Sequence, residues 1–184
     1  MISNFVQIRY ANGDKYEGHM KNGKKEGYGT FYFLDGDKYI GEFKNDKPNG
    51  NGTCYFEDGE KYFGEFKNGN KHGNGTYYFI NGDKYFGEFK DDKPNDNGTF
   101  YYEDGDKYIG EFKDGKFNGN GTFYYKSGNK YIGQFKDGYK YGKGTYFNTN
   151  GNKYISNSLK HLLRQKIINI SKNVKILKFF INKK

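Results

Sequence analysis

The chain has 184 residues, with 28 Gly, 20 Tyr and 18 Phe. Leu, Ile and Val are scarce before residue 155, which argues against a closed aliphatic core, while so many aromatics in strict register argue against low-complexity disorder. The net charge of +9 belongs to the end of the chain: residues 155–184 hold eight basic and no acidic side chains, so the first 154 residues stand at +1 and lack the electrostatic footprint of a nucleic-acid binder.

Met1 to Tyr10 has no basic region followed by an apolar run, so no secretory leader is read there. No stretch approaches the roughly 20 apolar residues of a membrane span. With Cys54 as the single cysteine and no internal disulfide, the expected compartment is a reducing cytosol. Residues 5–13 align with the second half of a unit that recurs down the chain, Gly13 over Gly36, and a first strand is expected over Phe5–Tyr10.

That unit opens on Tyr16, Tyr39, Tyr62, Tyr85, Tyr108, Tyr131 and Tyr154, always 23 residues apart. Within it, Lys38 to Lys44 alternates as a strand, with Tyr39, Gly41 and Phe43 on one face. Asn45 to Gly50 reads as a turn and Gly52 to Glu57 as a second strand. Asp58-Gly59 and its equivalents then supply the tight-turn dipeptide, because Gly accepts positive φ at no steric cost. Hairpin therefore follows hairpin in an antiparallel meander of about 13 strands, roughly 60 Å long at 4.8 Å per strand. Glycines inside the strands, Gly41 and Gly52 for example, are expected to leave room for an aromatic ring over the backbone.

The pattern Tyr-x-Gly-Glu-Phe-Lys-x-Gly-x-x-x-Gly-x-Gly-Thr resembles the MORN repeat and covers residues 5–154. Its repeat residues here are Tyr39, Gly41, Phe43 and Gly52; Tyr62, Gly64, Phe66 and Gly75; Tyr85, Gly87, Phe89 and Gly98; Tyr108, Gly110, Phe112 and Gly121; and Tyr131, Gly133, Phe135 and Gly144. The family's Trp is replaced by these Phe residues throughout. Further departures are Met20, Gln134, Asp96, and Asp46 and Asp92 at the turn glycine. The resemblance implies an all-β, elongated single-layer sheet of hairpins. It also implies roles in scaffolding, self-association and attachment near membranes, with phosphoinositide binding attributed to some members.

After Tyr154 the composition shifts. Leu159, Leu162, Leu163, Ile167, Ile170, Val174, Leu177 and Ile181 recur at helical spacing, predicting a basic amphipathic α-helix over 155–184 beyond the array of 1–154. Lys160, Arg164, Lys166, Lys172, Lys175 and Lys178 are its candidate lipid-binding residues. A cap on the end of the sheet, an independent membrane or partner helix, and a disordered tail all remain open readings of this segment.

No catalytic constellation is found. Serines are scattered, and His72 is read as a turn residue. Asn49 to Gly52 lacks the flanking helices of a calcium loop. Gly-x-Gly-Thr lacks the Lys-Ser/Thr of a phosphate loop. The Glu row (Glu42, Glu65, Glu88, Glu111) recurs with Lys44, Lys67, Lys90 and Lys113, so cross-strand ion pairing is expected rather than metal or acid–base work. The expected function is a non-enzymatic scaffold with no cofactor and no metal. It would be cytoplasmic, peripheral to a membrane or the cytoskeleton, with protein partners, an anionic phospholipid membrane and a second copy of itself as candidate contacts. The alternative is a regulatory portion of a lipid kinase or other enzyme, with catalysis supplied elsewhere.

Overall fold

The computed structural model describes residues 4–157; the predicted C-terminal helix lies outside them. The described chain is all-β: β1 (Asn4–Arg9), β2 (Lys15–Lys21), β3 (Lys24–Tyr32), β4 (Lys38–Lys44), β5 (Lys47–Tyr55), β6 (Lys61–Lys67), β7 (Asn70–Tyr78), β8 (Lys84–Lys90), β9 (Lys93–Tyr101), β10 (Lys107–Lys113), β11 (Lys116–Tyr124), β12 (Lys130–Lys136), β13 (Tyr139–Phe147) and β14 (Lys153–Asn157). They form one unclosed antiparallel sheet in sequence order. The expected meander is present with fourteen strands rather than thirteen, because Tyr154 opens one more strand on β13. His72 lies within β7 rather than in a turn.

One face holds the core. Tyr16, Tyr39, Tyr62, Tyr85, Tyr108 and Tyr131 alternate with Phe43, Phe66, Phe89, Phe112 and Phe135, all buried. Their rings meet edge to face in an unbroken zipper, centroids 4.9–5.5 Å apart and planes 75–90° apart. This is the arrangement the ring quadrupole favours, worth about 0.5–1.5 kcal/mol per pair beyond area burial. Phe at these positions leaves no buried indole N–H that needs a partner. A second file of partly buried rings, including Phe31, Tyr77, Phe100, Phe123 and Tyr146, packs against the zipper from the neighbouring strands.

The zipper depends on paired glycines. Gly41 lies opposite Gly52, and a Cβ on Gly52 would fall 2.4 Å from the Tyr39 hydroxyl oxygen. The ring therefore lies over bare backbone, as expected from the sequence. The phenol finds a fixed partner: Tyr39 Oη donates to the Glu42 carbonyl at 2.8 Å, and Tyr16, Tyr62, Tyr85 and Tyr108 repeat the bond with the residue three along. A buried hydroxyl left unpaired would cost about 1–3 kcal/mol.

Two measurements follow. Gly121→Ala places a methyl 2.5 Å from the Tyr108 hydroxyl oxygen, and urea denaturation is expected to show a loss of about 3 kcal/mol. Burial, the largest cause in each case, raises the phenols of Tyr39, Tyr62, Tyr85 and Tyr108 above their ordinary value of 10.0 and that of Tyr16 to about 12. The folded state thus holds these protons more tightly than the unfolded state, and the resulting stability is fully present below pH 10. The Tm is expected to stay level from neutral pH up to that pH and to fall steeply above it, with tyrosinate absorbance rising together with unfolding.

Candidate functional site

The unit's second strand is longer than its first, and the surplus is taken up by a bulge. Gly41 faces Gly52 while Phe43 faces Pro48, so Glu42 alone spans Asn49, Gly50 and Asn51. The expected turn over 45–50 is thereby reduced to Asn45-Asp46, with β5 already running from Lys47. The bulge requires positive φ, supplied by Gly50 (104°), Gly73 (58°) and Gly119 (63°). It also frees one backbone N–H, and the Glu carboxylate takes it. Asn51 N–H donates to Glu42 Oε1 at 2.8 Å, Asn74 N–H to Glu65 at 2.9 Å, and Asn120 N–H to Glu111 at 2.8 Å.

These bonds overturn the expected Glu–Lys ion pairs. Among the described residues the salt bridges are Lys15–Glu17 and Lys71–Asp92, and the bond from Lys15 holds the Glu17 carboxyl below its usual range. A charge-assisted bond to a fixed N–H outweighs an exposed ion pair between two mobile chains. Asp96 breaks the pattern. It keeps positive φ (55°), but its side chain stands where Gly50, Gly73 and Gly119 leave room for the carboxylate, and no bond joins Glu88 to the Asn97 N–H.

Both long margins of the sheet are stitched from unit to unit. At the tight turns Asp37, Asp83 and Asp106 accept the N–H of Glu57, Glu103 and Lys126 at 2.8–2.9 Å. At the bulge margin the Asp departures gain a reason. Asp46 N–H donates to the Lys25 carbonyl and the Asp46 carboxylate accepts the Lys25 N–H; Asp92 does the same with Lys71. Where the preceding strand offers Pro48 or Pro94, with no N–H to satisfy, the next turn carries Gly69 or Gly115 and makes the carbonyl bond alone. Lys25, Lys71 and Lys140 each sit over three aromatic rings, and burial lowers the Lys140 ammonium's proton affinity. Burial, the dominant effect, raises the Cys54 thiol to about 11, which keeps it protonated rather than a thiolate nucleophile.

The repeat residues named from sequence thus build the core, and the opposite face is the one left open. Two rows run along it. In the first, Ile40, Phe63, Phe86, Ile109 and Ile132 alternate across strands with Thr53, Thr76, Thr99 and Thr122; Phe63 is 58% and Phe86 56% exposed. In the second, lysines alternate with aromatics: Lys38 over Tyr55 (4.6 Å), Lys84 over Tyr101 (4.5 Å), Lys107 over Tyr124 (4.7 Å) and Lys130 over Phe147 (5.2 Å). The rings support the lysine stems while the charged heads meet water. The sequence leads one to expect an aromatic-and-lysine surface but not its division into these two rows, although a Lys before each opening Tyr and a Tyr in the middle of each aromatic triplet marked them. The candidate lipid-binding residues Lys160, Arg164, Lys166, Lys172, Lys175 and Lys178 lie outside the described residues.

A family model described as MORN repeat matches residues 16–38, 39–61, 62–84, 85–107, 108–130 and 131–153. No curated protein matches the chain. Among solved structures, the SAS-4 (dCPAP) TCP domain of Drosophila melanogaster, in complex with a proline-rich motif of Ana2 (dSTIL), is similar at 14% identity and TM-score 0.51, covering 83% of this chain and 88% of that one. A variant of the TCP10 domain of Danio rerio CPAP is similar at 16% identity and TM-score 0.37, covering 82% and 71%. At these identities the likeness to the Drosophila domain concerns the fold alone.

Replacing Asp96 with Gly is expected to let Glu88 cap the Asn97 N–H and to raise stability by about 1 kcal/mol, checked by urea denaturation against Gly73→Asp, which should move the opposite way.

Proposed function

The chain belongs to the MORN repeat family, and on that premise we propose that it is a non-enzymatic scaffold that docks protein partners on its open face. One observation carries the reading. A row of exposed Phe and Ile runs beside a row of ring-supported lysines, and among the described residues only Lys15 of that row is salt-bridged to a carboxylate. Aromatic and cationic groups already held in place lose little side-chain entropy when a partner binds. The Drosophila TCP domain was solved with a proline-rich motif, which supports a protein segment as the kind of partner a sheet of this fold takes. Among the described residues no group of three His, Cys, Asp or Glu is placed to hold a metal.

The basic segment beyond Asn157 gives the scaffold its second contact, an anionic membrane containing phosphoinositide, with about 1 kcal/mol of attraction per basic residue near such a surface. The protein is then cytoplasmic and peripheral. In crosslinking with mass spectrometry, proteins captured by the full chain are expected to be lost with Phe63→Ser/Phe86→Ser/Ile109→Ser and kept when residues 158–184 are deleted. Flotation with anionic liposomes should show the reverse. A triple variant that keeps every partner while remaining folded would sink the assignment of the face.

A further inference from the structure

The open face repeats with every hairpin, and its period selects a ligand geometry. Two strands advance about 9.6 Å along the sheet, so Phe63, Phe86, Ile109 and Ile132 stand in line at that interval. Lys61, Lys84, Lys107 and Lys130 run parallel to them, two residues away along each strand, about 6.8 Å to the side. A polyproline II segment completes one three-residue turn in about 9.3 Å, within about 0.3 Å of the hairpin step. An α-helix offers its nearest repeat at seven residues, about 10.5 Å. A β-strand shows the same face every two residues, about 6.8 Å, and drifts out of step at once. Of the regular backbones, polyproline II fits the period.

The chemistry of the rows fixes the sequence of such a segment. Between Phe86 and Ile109 lies an open groove of about 320 Å³, flanked by Thr99, floored by the backbone of Gly87, Gly98 and Gly110, and rimmed on the side away from the lysines by Asn74, Glu88 and Asn97; it is wide enough to admit a proline ring. The lysines alongside are held over Tyr101 and Tyr124 and lack a carboxylate partner within the described sheet, which suits an acidic residue. We propose that the face binds a proline-rich acidic segment laid along the sheet's long axis in the polyproline II conformation. One residue of every three seats between successive apolar side chains, one reaches the lysine row and one faces water. Each added triplet engages one more hairpin, so binding grows with ligand length. The inference rests on the open face being the partner surface.

The test uses the full chain and the peptide (Pro-Pro-Glu)4, about 37 Å long, against an isomer of the same composition with its glutamates in adjacent pairs. The in-register peptide is expected to bind at least ten-fold more tightly than the isomer and than (Pro-Pro-Glu)2. Lys84→Glu/Lys107→Glu and Phe86→Ser should each weaken it at least five-fold without changing the melting curve. Equal affinity for the two isomers overturns the register and leaves the partner surface standing. Binding untouched by the face variants overturns the site. If no peptide binds but phosphatidylserine vesicles do, and the same variants abolish that, the face belongs to a membrane and both the segment and the partner surface fall.

Discussion

A tyrosine ring lying over a pair of facing glycines is the contact on which the molecule depends. A single sheet has no opposite layer to close a core, so the rings must bury themselves against the backbone of their own sheet and against one another. Removing two Cβ atoms per hairpin lets the ring settle. The phenol then ties the ring to the carbonyl of the residue three along, and the next unit's Phe covers its edge. Each hairpin is marginal alone and becomes stable only as the floor and wall of its neighbours, the nearest-neighbour logic of repeat arrays.

That same arrangement divides the labour between the faces. The buried face spends its aromatics on cohesion, and the bulge that re-aims the chain engages most of the repeating glutamates as backbone acceptors. What is left free is periodic: apolar side chains and ring-supported lysines at one copy per hairpin. A surface of this kind offers the same modest contact many times over rather than one enclosed pocket.

Most of the fold was legible because the 23-residue step, the alternation within strands and the turn dipeptides all point the same way. Gly41, Gly52 and Tyr39 could be read together as one packing unit. The role of Glu42 could not. Its neighbour Lys44 sits on the same face at strand spacing, and nothing in a 23-residue period reveals that β4 and β5 slip by two residues between Gly41 and Phe43. The freed N–H of Asn51 exists only because of that slip. Asp46 and Asp92 looked like departures from the unit for a related reason: each answers a backbone group of the preceding unit, so no unit viewed alone explains it. The lysine–aromatic row was visible as residues but not as a site, since the near-neutral charge of the array hid lysines whose neighbouring acids are engaged with backbone.

The pairing of Lys25 with Asp46, Pro48 with Gly69, Lys71 with Asp92 and Pro94 with Gly115 means that the sheet's true module is two hairpins, 46 residues, across this stretch. Excising one 23-residue unit from it would set Lys25 against Gly69 and leave its N–H without the carboxylate. Excising two restores every bond. Within this stretch, then, recombination is tolerated in even steps better than in odd ones, a constraint of parity that the 23-residue period alone does not show.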